Sequence, residues 1–185
     1  MKSPSVDAIS LLIQDHKDVK KLFEEYKGLR DRSKFKKKEI ADDICQALTV
    51  HTQIEEEIFY PAVRSAIKDD AVMDEALAEH AAAKDLIAQI EAIDPGDDLY
   101  DAKIKVLSEQ ITRHVEEEED EMFPLVRKSN LDLRVLGIEM ADRKEKEIAI
   151  LALATQKLEP LPTLEQVPSK TGRRDGHARS PQFRS

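Results

Sequence analysis

HTQIEEEIFYPAVR, residues 51–64, and HVEEEEDEMFPLVR, residues 114–127, share His, two Glu, Pro, Val and Arg in the same register. The offset of 63 positions that relates His51 to His114 also relates Glu55 to Glu118, Pro61 to Pro124 and Arg64 to Arg127. In each copy a glutamate follows the histidine by four positions. On an α-helix that step stacks both side chains on one face, a turn apart. The rest of the face is apolar: Ile40, Ile44 and Leu48 lead into His51, and Ile104, Leu107 and Ile111 lead into His114. Burying a carboxylate in such a stripe costs several kcal/mol unless a cation or hydrogen-bond donors compensate it.

Working outward, each of these helices is preceded by another with a histidine in its own apolar stripe. Val6, Ile9, Leu12/Ile13, His16, Val19, Phe23 and Tyr26 predict a helix over 5–32, with Ser5 as its N-cap. Met73, Leu77, His80, Ala83/Lys84, Ile87 and Ile90 predict one over 70–93, closed by the turn Asp94-Pro95-Gly96-Asp97. The repeated segments lie in helices predicted over 36–68 and 99–127. Their stripes continue through Ile58/Phe59 and Ala62 in the first copy and through Met122 and Leu125 in the second. A fifth helix, 130–158, starts near Asn130 and Asp132. Short links between long helices predict an all-α fold, an antiparallel up-down four-helix bundle with an extra C-terminal helix packed outside it. The bundle and fifth helix make up 1–158. Residues 159–185 are expected to be a disordered, mildly basic tail broken by Pro160, Pro162, Pro168 and Pro181.

Composition agrees and excludes alternatives. Five Gly and eight aromatics without a Trp in 185 residues argue against a sandwich or barrel. The single cysteine, Cys45, rules out an intramolecular disulfide framework and any Cys-rich zinc or iron–sulfur site; buried between Ile44 and Leu48, it is expected to be inert. The net charge is −9, and because the last eighteen residues contribute +4 the first 167 carry −13. An acidic body repels phosphates, so nucleic acid is not an expected partner. Met1 to Ser10 shows no secretory signal, and the longest apolar run, Ile148 to Ala154, is too short for a bilayer. A soluble cytoplasmic protein that does not bind membranes is the expectation.

Four imidazoles and two carboxylates converging inside one bundle are most simply explained by metal. His16 to His51 spans 35 residues and His80 to His114 spans 34, so the halves repeat. Two helix pairs related by a pseudo-twofold would present two equivalent ligand sets, which suits two metals side by side with carboxylates between them. Ligand type alone leaves iron, zinc and copper open. His177, in the basic tail, is expected to be solvated, and Glu56 and Glu119 are expected either near the ligands or at the surface. Lys84 is expected to snorkel to the bundle end or to sit by an open metal position. Tyr60 is expected to pack, with its hydroxyl near the metals as the alternative. Pro61 and Pro124 are expected to kink the ends of their helices and free a carbonyl.

The pattern His16, His51-x-x-x-Glu55, His80, His114-x-x-x-Glu118 resembles the hemerythrin-like (HHE cation-binding) family. So do Glu55-Glu56 with Tyr60-Pro61 and Glu118-Glu119 with Phe123-Pro124. The resemblance covers roughly residues 7–158. It implies a four-helix bundle around a non-haem di-iron centre, two oxo- or hydroxo-bridged iron ions per chain, that binds oxygen or related small ligands. It also implies His16, His51, His80 and His114 as terminal ligands, with Glu55 and Glu118 bridging.

The chain departs from the oxygen carriers of that family at two places. They carry His-x-x-x-His on the third helix, where Lys84 stands here. They end with His-x-x-x-x-Asp, where this chain has His114-x-x-x-Glu118, with Asp120 and Glu121 beyond. Four histidines and two bridging carboxylates fill about eight of roughly twelve octahedral positions, and a bridging oxygen species about two more. The looser centre fits binding or sensing of dioxygen, nitric oxide or peroxide better than stable oxygen carriage. The alternative is a di-iron enzyme of peroxidase, oxidase or ferroxidase type, or an iron-handling protein. A metal-free structural bundle would leave Glu55 and Glu118 without a compensating charge.

Overall fold

The structure, a computed structural model, describes residues 7–29, 34–67 and 70–158. The described residues form five long helices and no strand. They are α1 (Ala8–Gly28), then α2 (Lys34–Ile54) running through a π-helical turn π1 (Glu55–Phe59) into α3 (Tyr60–Ile67), then α4 (Asp70–Glu91). The fourth is α5 (Tyr100–Glu117), continued by π2 (Glu118–Met122) and α6 (Phe123–Lys128), and α7 (Leu133–Leu158) is the fifth. The tail expected to be disordered over 159–185 and its His177, expected to be solvated, lie outside the described residues, as does the predicted N-cap Ser5. The observed cap of α1 is Asp7, whose carboxylate accepts from Ser10 N–H at 2.9 Å. α7 is opened by Asp132, which accepts from the N–H groups of Arg134 and Val135 at 3.1 Å.

The order of buried residues along each helix gives the topology. One apolar block contains Ile9 and Leu12 of α1, Ile54, Phe59, Met73, Met122 and Phe123. The other contains Val19 and Phe23 of α1, Ile44, Leu48, Ile87, Ile104 and Leu107. Along α1 and α4 the chain passes from the first block to the second; along α2 and α5 it passes back. The bundle is therefore up-down-up-down, and in each of its four helices the histidine falls at the boundary between blocks. α7 packs on α1 and α2, adding Leu136 and Met140 to the first block.

The two π turns correct the sequence expectation. Ala62 and Leu125 do not continue the inner stripes: Val63 and Val126 are buried instead, and Leu125 is 40% exposed. A π turn inserts one extra residue, which rotates every later side chain by about a hundred degrees. The N–H groups of Tyr60 and Phe123 reach back five residues to the carbonyls of Glu55 and Glu118. A proline ring in a regular helix presses on the carbonyl four residues back. The widened turn just before Pro61 and Pro124 absorbs that conflict, so both helices run on rather than ending. On α4, Ala76 rather than Leu77 faces inward, and Lys84 is not on the inner face.

Candidate metal centre

All six residues singled out by spacing meet in the layer between the two apolar blocks. His16, His51, His80, His114, Glu55 and Glu118 are each buried. Glu55 Oε2 lies 3.1 Å from His51 Nε2 and 3.4 Å from His80 Nε2. Glu118 Oε2 lies 3.3 Å from His16 Nε2 and 3.6 Å from His114 Nε2. Their donor atoms fall into two groups, His16, His51, Glu55 and Glu118 in one and Glu55, His80 and His114 in the other, with ligand atoms within 4.8 Å of one another. Glu55 belongs to both.

A second layer of carboxylates fixes the imidazoles. His16 Nδ1 donates to Glu119 at 2.8 Å, His80 Nδ1 to Glu56 at 3.0 Å, and His114 Nδ1 to Glu79 at 2.9 Å. His51 Nδ1 faces Asp15 at 3.6 Å. A carboxylate only accepts, so in these three hydrogen-bonded rings Nδ1 carries the proton and Nε2 turns its lone pair inward. Three of the four carboxylates are themselves held by cations: Asp15 by Lys144 of α7, Glu56 by Lys84 and Glu79 by Arg113. Asp15 and Glu79 escaped the sequence reading. Each immediately precedes a ligand-type histidine and reaches across to the histidine of the next helix. The repeat of an acid directly before His16 and His80 was the available signal.

Tyr60 also belongs here rather than to packing alone. The π turn brings it inward, where its hydroxyl donates to Glu118 Oε1 at 2.9 Å and lies 3.2 Å from His80 Nε2. Lys84 stays at the surface with its amine on Glu56. Cys45 is buried and its thiol is pushed up to about 12 by burial.

The inner atoms call for a cation. His16 Nε2, both oxygens of Glu55 and Glu118 Oε2 are buried without a hydrogen bond. His80 Nε2 and His114 Nε2 stand 3.1 Å apart, lone pair towards lone pair. Only a proton or a metal ion reconciles such atoms. With protons alone, burial resists charge on His51 but the Glu55 carboxylate lifts it to about 10. His80 is raised in the same way, against its own burial, by Glu55. Burial pushes Glu55 up, yet His51 and His80 hold it well below the usual carboxylate range. Burial, with Glu55 and Glu118 nearby, pushes the Tyr60 phenol far up, so it remains a neutral donor. Imidazole and carboxylate together suit a borderline cation rather than calcium or magnesium.

Several openings touch the layer, and two of them contrast in character. A cavity of about 250 Å³ is lined by Val19, Leu48 and Ile111, by the charged Asp18, Asp43 and Lys144, and by the four histidines. A pocket of about 200 Å³ is lined by Glu75, Glu79, Glu117 and Glu121 and ends on His114 and Glu118. Among the described residues no helix is long and apolar enough to cross a membrane.

The chain is similar to a protein named DNA nickase from Nostoc sp. (strain PCC 7120 / SAG 25.82 / UTEX 2576), 33% identical over 113 residues. The match covers 61% of this chain and 31% of that relative, so the chain spans about a third of its length. The fold is similar to a solved hemerythrin HHE cation binding domain-containing protein from Mycobacterium kansasii, with a TM-score of 0.70 and 24% identity. That likeness covers 83% of this chain and 94% of the other. The family model for the hemerythrin HHE cation binding domain matches residues 7–126. With the buried His/Glu clusters in place and the match spanning most of the bundle, the chain belongs to the hemerythrin HHE cation-binding family.

Proposed function

We propose that this protein holds two non-haem iron ions and uses them to bind or sense a small ligand such as dioxygen, nitric oxide or peroxide. The observation that carries the reading is the set of inward, buried ligand atoms on Glu55, Glu118 and His16 that lack a hydrogen bond. His16 and His51 would hold one ion, His80 and His114 the other. Glu55 would serve both, and Glu118 would join through the oxygen that Tyr60 leaves free. When bound, an iron pair supplies a redox-active centre with positions open to a small ligand.

The rest of the chemistry belongs to the chain. Glu119, Glu56 and Glu79 orient their imidazoles, and such outer partners are worth about 10–100-fold in metal affinity. Tyr60 keeps a proton on its hydroxyl, against Glu118 and next to His80, where it can donate to an incoming ligand. The aliphatic part of the cavity wall favours neutral diatomics. A peroxidase- or oxidase-type enzyme is the alternative, and the Tyr60 hydroxyl beside the histidines is the feature that favours it.

Metal analysis with an absorption spectrum on protein from iron-supplemented cells tests the reading. It predicts about two irons per chain and near-ultraviolet charge-transfer bands; a colourless protein that takes up no ferrous iron anaerobically contradicts it. Nitric oxide or peroxide should change the spectrum, and sustained turnover of peroxide would select the enzyme alternative. The relative named DNA nickase makes DNA worth testing, but the charge of −13 over the first 167 residues opposes it. Supercoiled plasmid should stay uncut by the iron-loaded protein.

A further inference from the structure

α7 has two faces of different character. Leu136, Met140 and Ala141 pack against the bundle. On the outward side, Val135, Ile138, Ile150 and Leu153 are 55 to 62% exposed. Between these two apolar ends lie Asp142 and Lys146, 64% and 66% exposed and paired with each other at 2.5 Å. Positions 135, 138, 142, 146, 150 and 153 advance by steps of three and four, so they form one stripe along the helix. The stripe reads apolar, acid, base, apolar, with the exposed Glu139 beside its first apolar end. Large aliphatic groups aligned along a helix, rather than scattered singly, mark a contact surface.

We propose that this stripe is the twofold interface of a homodimer, in which two α7 helices cross antiparallel at the level of Lys144. The pattern is complementary to its own reverse. Val135 then lies opposite Leu153 of the second copy, Ile138 opposite Ile150, and Asp142 opposite Lys146, each contact occurring twice. A parallel crossing would set Asp142 against Asp142 and Lys146 against Lys146, which repel. The central charges therefore select both the partner and the orientation, as polar positions do in helix pairs generally. Ala149, small and exposed, lets the backbones approach near the end of each apolar stretch.

Sedimentation and light scattering on the full chain test this. Wild type should reach twice the chain mass of 21.0 kDa as concentration rises. I138E/I150E should remain monomeric over the same range with unchanged helical circular dichroism and unchanged metal content. D142K and K146D should each associate at least about tenfold more weakly. An equimolar mixture of those two single variants should form a heterodimer, because unlike charges again face each other. A wild-type monomer up to about 300 µM, a dimer that survives I138E/I150E, or a mixture that fails to associate would overturn the proposal.

Discussion

The first and second halves of the bundle supply the same inner set, a histidine pair and a glutamate, yet they finish it differently at one matched position. Tyr60 in the first half corresponds to Phe123 in the second, both directly after a π turn. Tyr60 donates to Glu118 Oε1, whereas Phe123 stacks on His16 with ring centres 5.9 Å apart. Both oxygens of Glu55 thus lack a hydrogen bond, whereas Glu118 has one such oxygen. The repeat brings together two overlapping groups of buried ligand-type residues that share Glu55, and a single hydroxyl makes the two carboxylates unequal.

Breaking that comparison at its centre should have the largest effect. Glu55→Ala removes the carboxylate common to both groups and should reduce bound metal from about two ions to at most one. Glu118→Ala should cost less, because part of that carboxylate is already committed to Tyr60. Equal losses in the two variants, read by elemental analysis, would show that the inequality has no consequence.

Next come the outer carboxylates. Glu79→Gln, which cuts a 2.9 Å hydrogen bond to His114, should weaken metal binding by about 10–100-fold. Asp15→Asn should weaken it less, since His51 stands 3.6 Å away. Competition with a chelator ranks them, and the reverse order would contradict the assignment.

Protonation sharpens the same picture. His51 is raised to about 10 by Glu55. In metal-free protein the stability it contributes is therefore fully present below its unfolded value of about 6.5 and is lost as pH rises through about 10. Glu55, held low, contributes stability above about 4.5 that is lost as pH falls through its lowered folded value. Metal must displace the imidazole protons, so metal affinity should rise with pH while metal-free thermal stability falls from about pH 7 to about 10. Metal affinity independent of pH between about 6 and 8 would contradict this.

The smaller effects concern Tyr60 and Lys84. Tyr60→Phe makes the halves alike but leaves a buried carboxylate oxygen unpaired, costing about 1–3 kcal/mol in metal-free protein. Lys84→Ala breaks an exposed pair with Glu56 and should change stability by less than about 1 kcal/mol.

The six inner residues were legible in the sequence because helical spacing alone puts His51 with Glu55 and His114 with Glu118. Four stripes each carrying one histidine then had little choice but to converge. The π turns were not legible, since an inserted residue leaves composition and motif unchanged and shows only as a shifted phase. That shift hid Val63 and Val126 in the core and hid the inward turn of Tyr60. Asp15 and Glu79 were missed for a different reason. On their own helices they sit one residue from a histidine and point elsewhere, and only the neighbouring helix gives them a role.

The central claim is one buried layer with two cation positions sharing Glu55. Anomalous scattering at the iron edge from crystals of iron-loaded protein tests it most directly. Two peaks are predicted, one beside His16 and His51 and one beside His80 and His114, with Glu55 between them. A single peak, or peaks only among the surface glutamates, would contradict it.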